Sequence, residues 1–133
     1  MILIDTSVAV DFLRGRERGL SVVESSQKST EVVGFSAVSM YELLSPIHHQ
    51  KLDRQERIVR SFVHRLRLLP FDAEAADASA KIMGSLLRIG KPLNPVDVII
   101  AGTAVANGAE KLISLDADFE RIAQVSDLKV EVL

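Results

Sequence analysis

Ile2, Leu3 and Ile4 form a wholly apolar run that ends abruptly at Asp5. A strand with one wet face alternates apolar and polar residues. A run with no polar position suits a strand covered on both faces, as in a parallel sheet between two layers of helices. Comparable short runs stand at residues 32–35, 66–69, 111–114 and 129–132, the last of them short and charged. The stretches between carry helical spacing. Asp5 can cap a helix over Thr6–Leu13, because an aspartate accepts from the free N–H groups of a first helical turn. Ser36 can cap a second helix, with an apolar stripe of Met40, Leu43, Leu44 and Ile47. Pro70 interrupts the chain before an Ala- and Leu-rich helix at 75–87, which Gly90 can end. Asn94-Pro95 is an N-cap with proline at the first helical position, and that helix runs to Asn107 before Gly108 closes it. Residues 15–19 and 25–30 read as loops. Strands alternating with helices of about ten residues imply an α/β fold. The expectation is a single domain over residues 1–133, with a four- or five-stranded parallel sheet flanked by helices on both faces.

Composition narrows the function classes. The chain has 133 residues, 47% apolar and 26% charged, enough for a real core and too hydrophobic for a disordered chain. Sixteen basic residues against eighteen acidic ones give a net charge of −2, so bulk charge does not mark a nucleic-acid binder. The absence of cysteine excludes a disulfide scaffold, a thiolate zinc site and a cysteine nucleophile. No apolar run approaches the ~18 residues of a membrane helix, and the stretch 96–106 already contains Asp97. The first residues lack the basic segment of a signal peptide. A soluble, cytoplasmic protein with no membrane partner is expected.

Chemistry is suggested by the acids. Open α/β sheets bind ligands beyond the carboxyl ends of their strands. Asp5 and Asp116 follow two such strands, Asp97 lies in the first turn of a helix, and Glu42 falls two turns into the helix opened by Ser36. Carboxylates gathered at one point repel one another, and a hard divalent cation relieves that repulsion. The set therefore suggests metal-dependent phosphodiester chemistry. Each acid also has an ordinary structural role open to it. Asp5 and Asp116 can cap helices, Asp97 occupies the reciprocal position of a capping box, and Glu42 lies opposite an apolar stripe, where a solvated face is the rule.

Four segments resemble the motifs of PIN domains, most closely those of VapC-type toxin ribonucleases. They are Met1-Ile2-Leu3-Ile4-Asp5-Thr6-Ser7-Val8, Ser36-Ala37-Val38-Ser39-Met40-Tyr41-Glu42-Leu43-Leu44, Pro95-Val96-Asp97-Val98-Ile99-Ile100-Ala101 and Ile113-Ser114-Leu115-Asp116-Ala117-Asp118-Phe119. Their order and separations fit over almost the whole chain. The resemblance implies a parallel sheet flanked by helices and an endoribonuclease that cleaves single-stranded RNA with metal-activated water, using Mg²⁺ or Mn²⁺. It places the catalytic acids at Asp5, Glu42, Asp97 and Asp116, with Asp5, Asp97 and Asp116 as metal ligands and Thr6, Ser114 and Asp118 in support. Ser114 stands where threonine is commoner, and Ala9 where many relatives have tryptophan. It further implies a homodimer and a VapB-type antitoxin as partner, with an antitoxin Arg or Lys reaching toward Asp5 and Asp97.

Arg14, Arg16 and Arg18, in a Gly-flanked loop expected near the Asp5 end, are candidate RNA contacts. Arg57, Arg60, His64 and Arg67 would share one face if their helix runs that far. His48-His49 has no further His or Cys at zinc-ligand spacing. With five Phe, one Tyr and no Trp, a base-stacking platform is poorly supplied, and Phe119 is expected in the core. Two other functions compete with the ribonuclease. An aspartyl phosphotransferase needs a second Asp two residues after the first, where Ser7 stands, and a receiver domain needs an acidic pair where Asp5 stands alone. A non-catalytic interaction module on the same scaffold is the remaining alternative, and the presence of all four acids argues against it.

Overall fold

The computed structural model describes residues 1–133. Five strands, β1 (Ile2–Ile4), β2 (Val33–Ser36), β3 (Arg67–Leu69), β4 (Lys111–Ser114) and β5 (Lys129–Val132), form one sheet of order β3-β2-β1-β4-β5. Every pairing is parallel. Seven helices connect them: α1 (Thr6–Leu13), α2 (Glu17–Lys28), α3 (Ala37–Gln50), α4 (Asp53–His64), α5 (Ala73–Arg88), α6 (Pro95–Ala106) and α7 (Glu120–Val125), with a 3-10 turn at Ala117–Phe119. No helix is long and apolar enough to cross a membrane.

The all-apolar β1 divides its side chains between two cores, because successive residues of a strand point to opposite faces. Ile2 and Ile4 pack with Val8, Val23, Phe35, Leu43, Ile47, Val59 and Phe62, under α1 to α4. Leu3 packs with Ile82, Leu86, Val98, Ile100, Leu112, Phe119 and Ile122, under α5 to α7. The expected burial of Phe119 holds, at 1% exposed. On the second face α5 and α6 cross closely enough that a Cβ on Gly102 would meet the Ser79 Oγ at 1.9 Å.

Two expectations need correction. The loops expected at 15–19 and 25–30 largely belong to α2. Gly19, a poor helix former, sits inside this helix because α2 presses against α1: a Cβ there would lie 2.4 Å from the Phe12 nitrogen. Its N–H also donates to buried Asp11 at 2.7 Å. Tertiary packing thus overrides local propensity. The basic face is also shorter than its spacing implied. α4 ends at His64, so Arg67 lies on edge strand β3 rather than beside Arg57 and Arg60.

Strand order fixes where a site can form. The chain leaves β1 toward β2 and β3 on one side, then returns to β4 on the other. Such a reversal opens a crevice at the carboxyl ends of the two strands. β1 and β4 are direct neighbours, and the Asp5 N–H continues their ladder by donating to the Ile113 carbonyl at 3.1 Å.

Candidate active site

Asp5 is placed by the end of β1 and the start of α1. It is 3% exposed and caps α1 by accepting the Val8 N–H at 3.1 Å on Oδ1. Two hydroxyls hold the same carboxylate: Ser7 donates to Oδ1 and Ser114 to Oδ2, each at 2.6 Å. Burial pushes the Asp5 carboxyl above its ordinary range, opposed by these hydrogen bonds. A carboxylate offers about four acceptor sites. Oδ1 therefore has both of its sites filled, and Oδ2 keeps one.

Asp116 follows β4. Its Oδ1 caps the 3-10 turn by accepting the Asp118 N–H at 2.9 Å, and its own N–H donates to the Ser114 hydroxyl at 2.9 Å. Asp116 and Asp118 are both exposed, and Asp118 faces Arg121 at 3.7 Å. Glu42, on α3, is half-buried rather than solvated, and accepts from the Thr6 hydroxyl at 2.5 Å. Of the residues expected in support, Thr6 bonds to Glu42 and Ser114 to Asp5.

Asp97 differs from the others. Asn94 caps α6 by accepting from the Val96 N–H at 2.9 Å, and Asp97 closes no reciprocal capping bond. Burial, followed by the charges of Asp116, Glu42, Asp5 and Asp118, pushes its carboxyl up to about 6. The charges of the other three acids singled out from the sequence therefore reach Asp97 across the crevice. No Lys or Arg forms an ion pair with Asp5, Glu42, Asp97 or Asp116. Uncompensated negative charge with a free carboxylate acceptor site fits a hard divalent cation. No three His, Asp or Glu side chains converge into a finished metal cage. An open site, with one or two carboxylates and several waters around a hard cation, is the kind of site such spacing leaves room for.

The basic candidates fall elsewhere. Arg14, Arg16 and Arg18 lie beyond the C-terminal end of α1, not at its Asp5 end, so that expectation is corrected. Arg18 donates to the Leu133 carbonyl at 3.1 Å. Arg14 alone joins the surroundings of the acids, lining with Glu42 a groove floored by Val10, Leu13, Leu43 and Ile58. His48 pairs with Glu56 at 3.3 Å, linking α3 to α4. Sequence reasoning missed Ser7 as a member of the site. Its one signal is its place two residues after a strand-ending acid.

The PIN domain family model matches residues 2–125. The tRNA(fMet)-specific endonuclease VapC of Shigella flexneri is 27% identical over 121 residues, covering 90% of each chain. Among solved structures, FitAcB from Neisseria gonorrhoeae has a TM-score of 0.80 at 28% identity, over 98% of this chain and 96% of that one. VapBC2 from Rickettsia felis, bound to a DNA fragment of its promoter, has a TM-score of 0.85 at 19% identity, over 100% and 99% of the two chains, a likeness of fold. With the family model matching 124 of its 133 residues, from 2 to 125, the chain belongs to the PIN domain family.

Proposed function

We propose that this chain is the toxin of a toxin–antitoxin pair, a cytoplasmic endoribonuclease acting as one nuclease domain over residues 1–133. The observation that carries the reading is the convergence of the Asp116, Glu42 and Asp5 charges on Asp97, with no Lys or Arg ion-paired to any of the four. Asp5, Asp97 and Asp116 would hold Mg²⁺ or Mn²⁺, with Glu42 beside them. A cation bound there would supply a water of lowered pKa and offset the charge gathering on the scissile phosphate.

The chain's own residues define the rest. Ser7 and Ser114 turn their protons toward Asp5, so neither is poised as a nucleophile. His48, His49 and His64 lie in the last turns of α3 and α4, and offer no imidazole pair for attack by a ribose 2′-hydroxyl. Products with 5′-phosphate and 3′-hydroxyl ends follow from attack by water. Arg14, at the groove beside Glu42, is the remaining RNA-contact candidate of its loop.

The same groove suits a VapB-type antitoxin segment, with an apolar floor leading to the acids. An antitoxin Arg or Lys at its end would pair with carboxylates that otherwise take the cation. Homodimer formation is supported by apolar side chains left outside, among them Tyr41 (67% exposed), Leu87 (59%) and Phe71 (42%). The deciding experiment is induction of the chain in cells, followed by mapping of the 5′ ends of cleaved RNA. Growth arrest with new 5′-phosphate ends, absent for Asp97→Asn, is expected. Products ending in 2′,3′-cyclic phosphate would overturn the mechanism, and a monomer by light scattering at micromolar concentration would overturn the dimer.

A further inference from the structure

We propose that Ser7 is a positioning residue, whose hydroxyl locks one oxygen of Asp5 and at the same time holds the segment leading to Asp116. The proposal rests on the reading of the acidic crevice as a cation site. Ser7 Oγ donates to Asp5 Oδ1 at 2.6 Å and accepts the Leu115 N–H at 3.0 Å. A serine hydroxyl has one proton and two lone pairs, so a single group can serve both bonds. The second bond joins residues 108 apart in sequence, across the crevice between the β1 and β4 ends. The Ser114 hydroxyl mirrors it, donating to Asp5 Oδ2 at 2.6 Å and accepting the Asp116 N–H at 2.9 Å. The two hydroxyls are 3.5 Å apart. Together they grip both oxygens of one strand-end acid and two successive amides before the other.

Helix formation alone does not require this. Ser7 is the second residue of α1, and Asp5 already caps that helix through the Val8 N–H. What the Ser7 bond adds is a choice of oxygen. Val8 and Ser7 together fill Oδ1, leaving Oδ2 as the oxygen with an acceptor site to spare. Without Ser7 the carboxylate is held only by the Val8 and Ser114 bonds, Oδ1 regains a free acceptor site, and the Leu115 amide loses its acceptor. A group that orients a ligand in this way commonly changes metal affinity 10- to 100-fold when removed.

The test uses Mn²⁺ as probe on the full chain, comparing the wild type with Ser7→Ala, Ser7→Thr and Asp97→Asn. Calorimetry is expected to show Mn²⁺ binding weakened about tenfold in Ser7→Ala and restored in Ser7→Thr. Leu115 amide hydrogen exchange should quicken in the Ala variant. Should Ser7→Ala fail to fold, Ser7→Cys, of similar size and a weaker donor, reads the same quantities. A merely structural serine would lower the melting temperature and leave Mn²⁺ affinity alone. Equal affinity in the wild type and the Ser7 variant overturns this proposal only. A wild type whose Mn²⁺ binding is absent, or unchanged by Asp97→Asn, overturns the cation reading and this proposal with it.

Discussion

The two sides of the crevice handle their acids in opposite ways. At the β1–α1 corner, Asp5 is almost fully buried and receives three hydrogen bonds, from Val8, Ser7 and Ser114. At the start of α6, Asp97 is half-buried, has no such support, and meets four like charges. Asp5 is part of the structure whether or not a cation is bound. In the bare protein Asp97 is an electrostatic cost, tolerated at a position where a cation would turn it into a gain. On the proposed reading, an acid that serves both folding and chemistry therefore stands beside one that serves chemistry alone.

The contrast is broken most directly at Asp97. Replacing it with Asn is expected to reduce RNA cleavage by about 10²–10³-fold or more, the scale of removing one charge-stabilising group from a reaction centre. The same variant should be slightly more stable, by about 1 kcal/mol, a modest gain because the group is partly exposed to screening water. Cleavage assays and urea midpoints check both halves, and full residual activity would falsify the site.

Cation binding sharpens the comparison. At a concentration a hundredfold above the dissociation constant, Mg²⁺ or Mn²⁺ should stabilise the wild type by about 2.7 kcal/mol. EDTA should reverse the gain, and Asp97→Asn should show little of it in thermal melts. Asp5→Ala separates the two acids. It should lose cleavage as Asp97→Asn does, but cost about 2 kcal/mol of stability, through loss of a helix cap and two orphaned hydroxyls. An Asp5→Ala protein as stable as the wild type would erase the distinction drawn here.

The smallest effect is the pH dependence of the metal-free chain. An acid with a raised folded-state pKa binds its proton more tightly in the folded than in the unfolded chain. Its contribution to stability is fully present below pH 3.8 and is lost as pH rises through about 6. The wild type should therefore lose about 1 kcal/mol across that window, and Asp97→Asn should lose less. Denaturation midpoints between pH 4 and 7 measure the difference.

Much of this was legible in the residues. The apolar runs at Ile2–Ile4 and Lys111–Ser114, the caps at Asp5, Ser36 and Asn94, and the Asn-Pro start of α6 are local signals, and the structure keeps them. Helix α2 was not legible, because Gly15, Gly19 and a serine-rich end mimic loop chemistry. What holds it is packing against α1, which leaves no periodic trace beyond a glycine at the crossing. The acids were legible as types at strand ends and helix starts. Their different conditions were not, since burial and neighbouring charge arise only when β1, β4, α3 and α6 meet.

The sequence by itself determined most element types, α2 excepted, the two-faced burial of β1 and the places in the chain where acids emerge. These follow from side-chain period, capping and turn chemistry, all of which act within a few residues. The tertiary structure decided which acids face one another, that Asp5 is clamped while Asp97 is not, and that Ser7 spans 108 residues to Leu115. It also decided that Arg14 reaches the groove beside Glu42 while Arg18 is tied to the Leu133 carbonyl. The physical reason is range. Hydrogen bonds and desolvation depend on distances of a few ångströms, and strand order sets those distances by bringing β4 beside β1 across more than a hundred residues of chain.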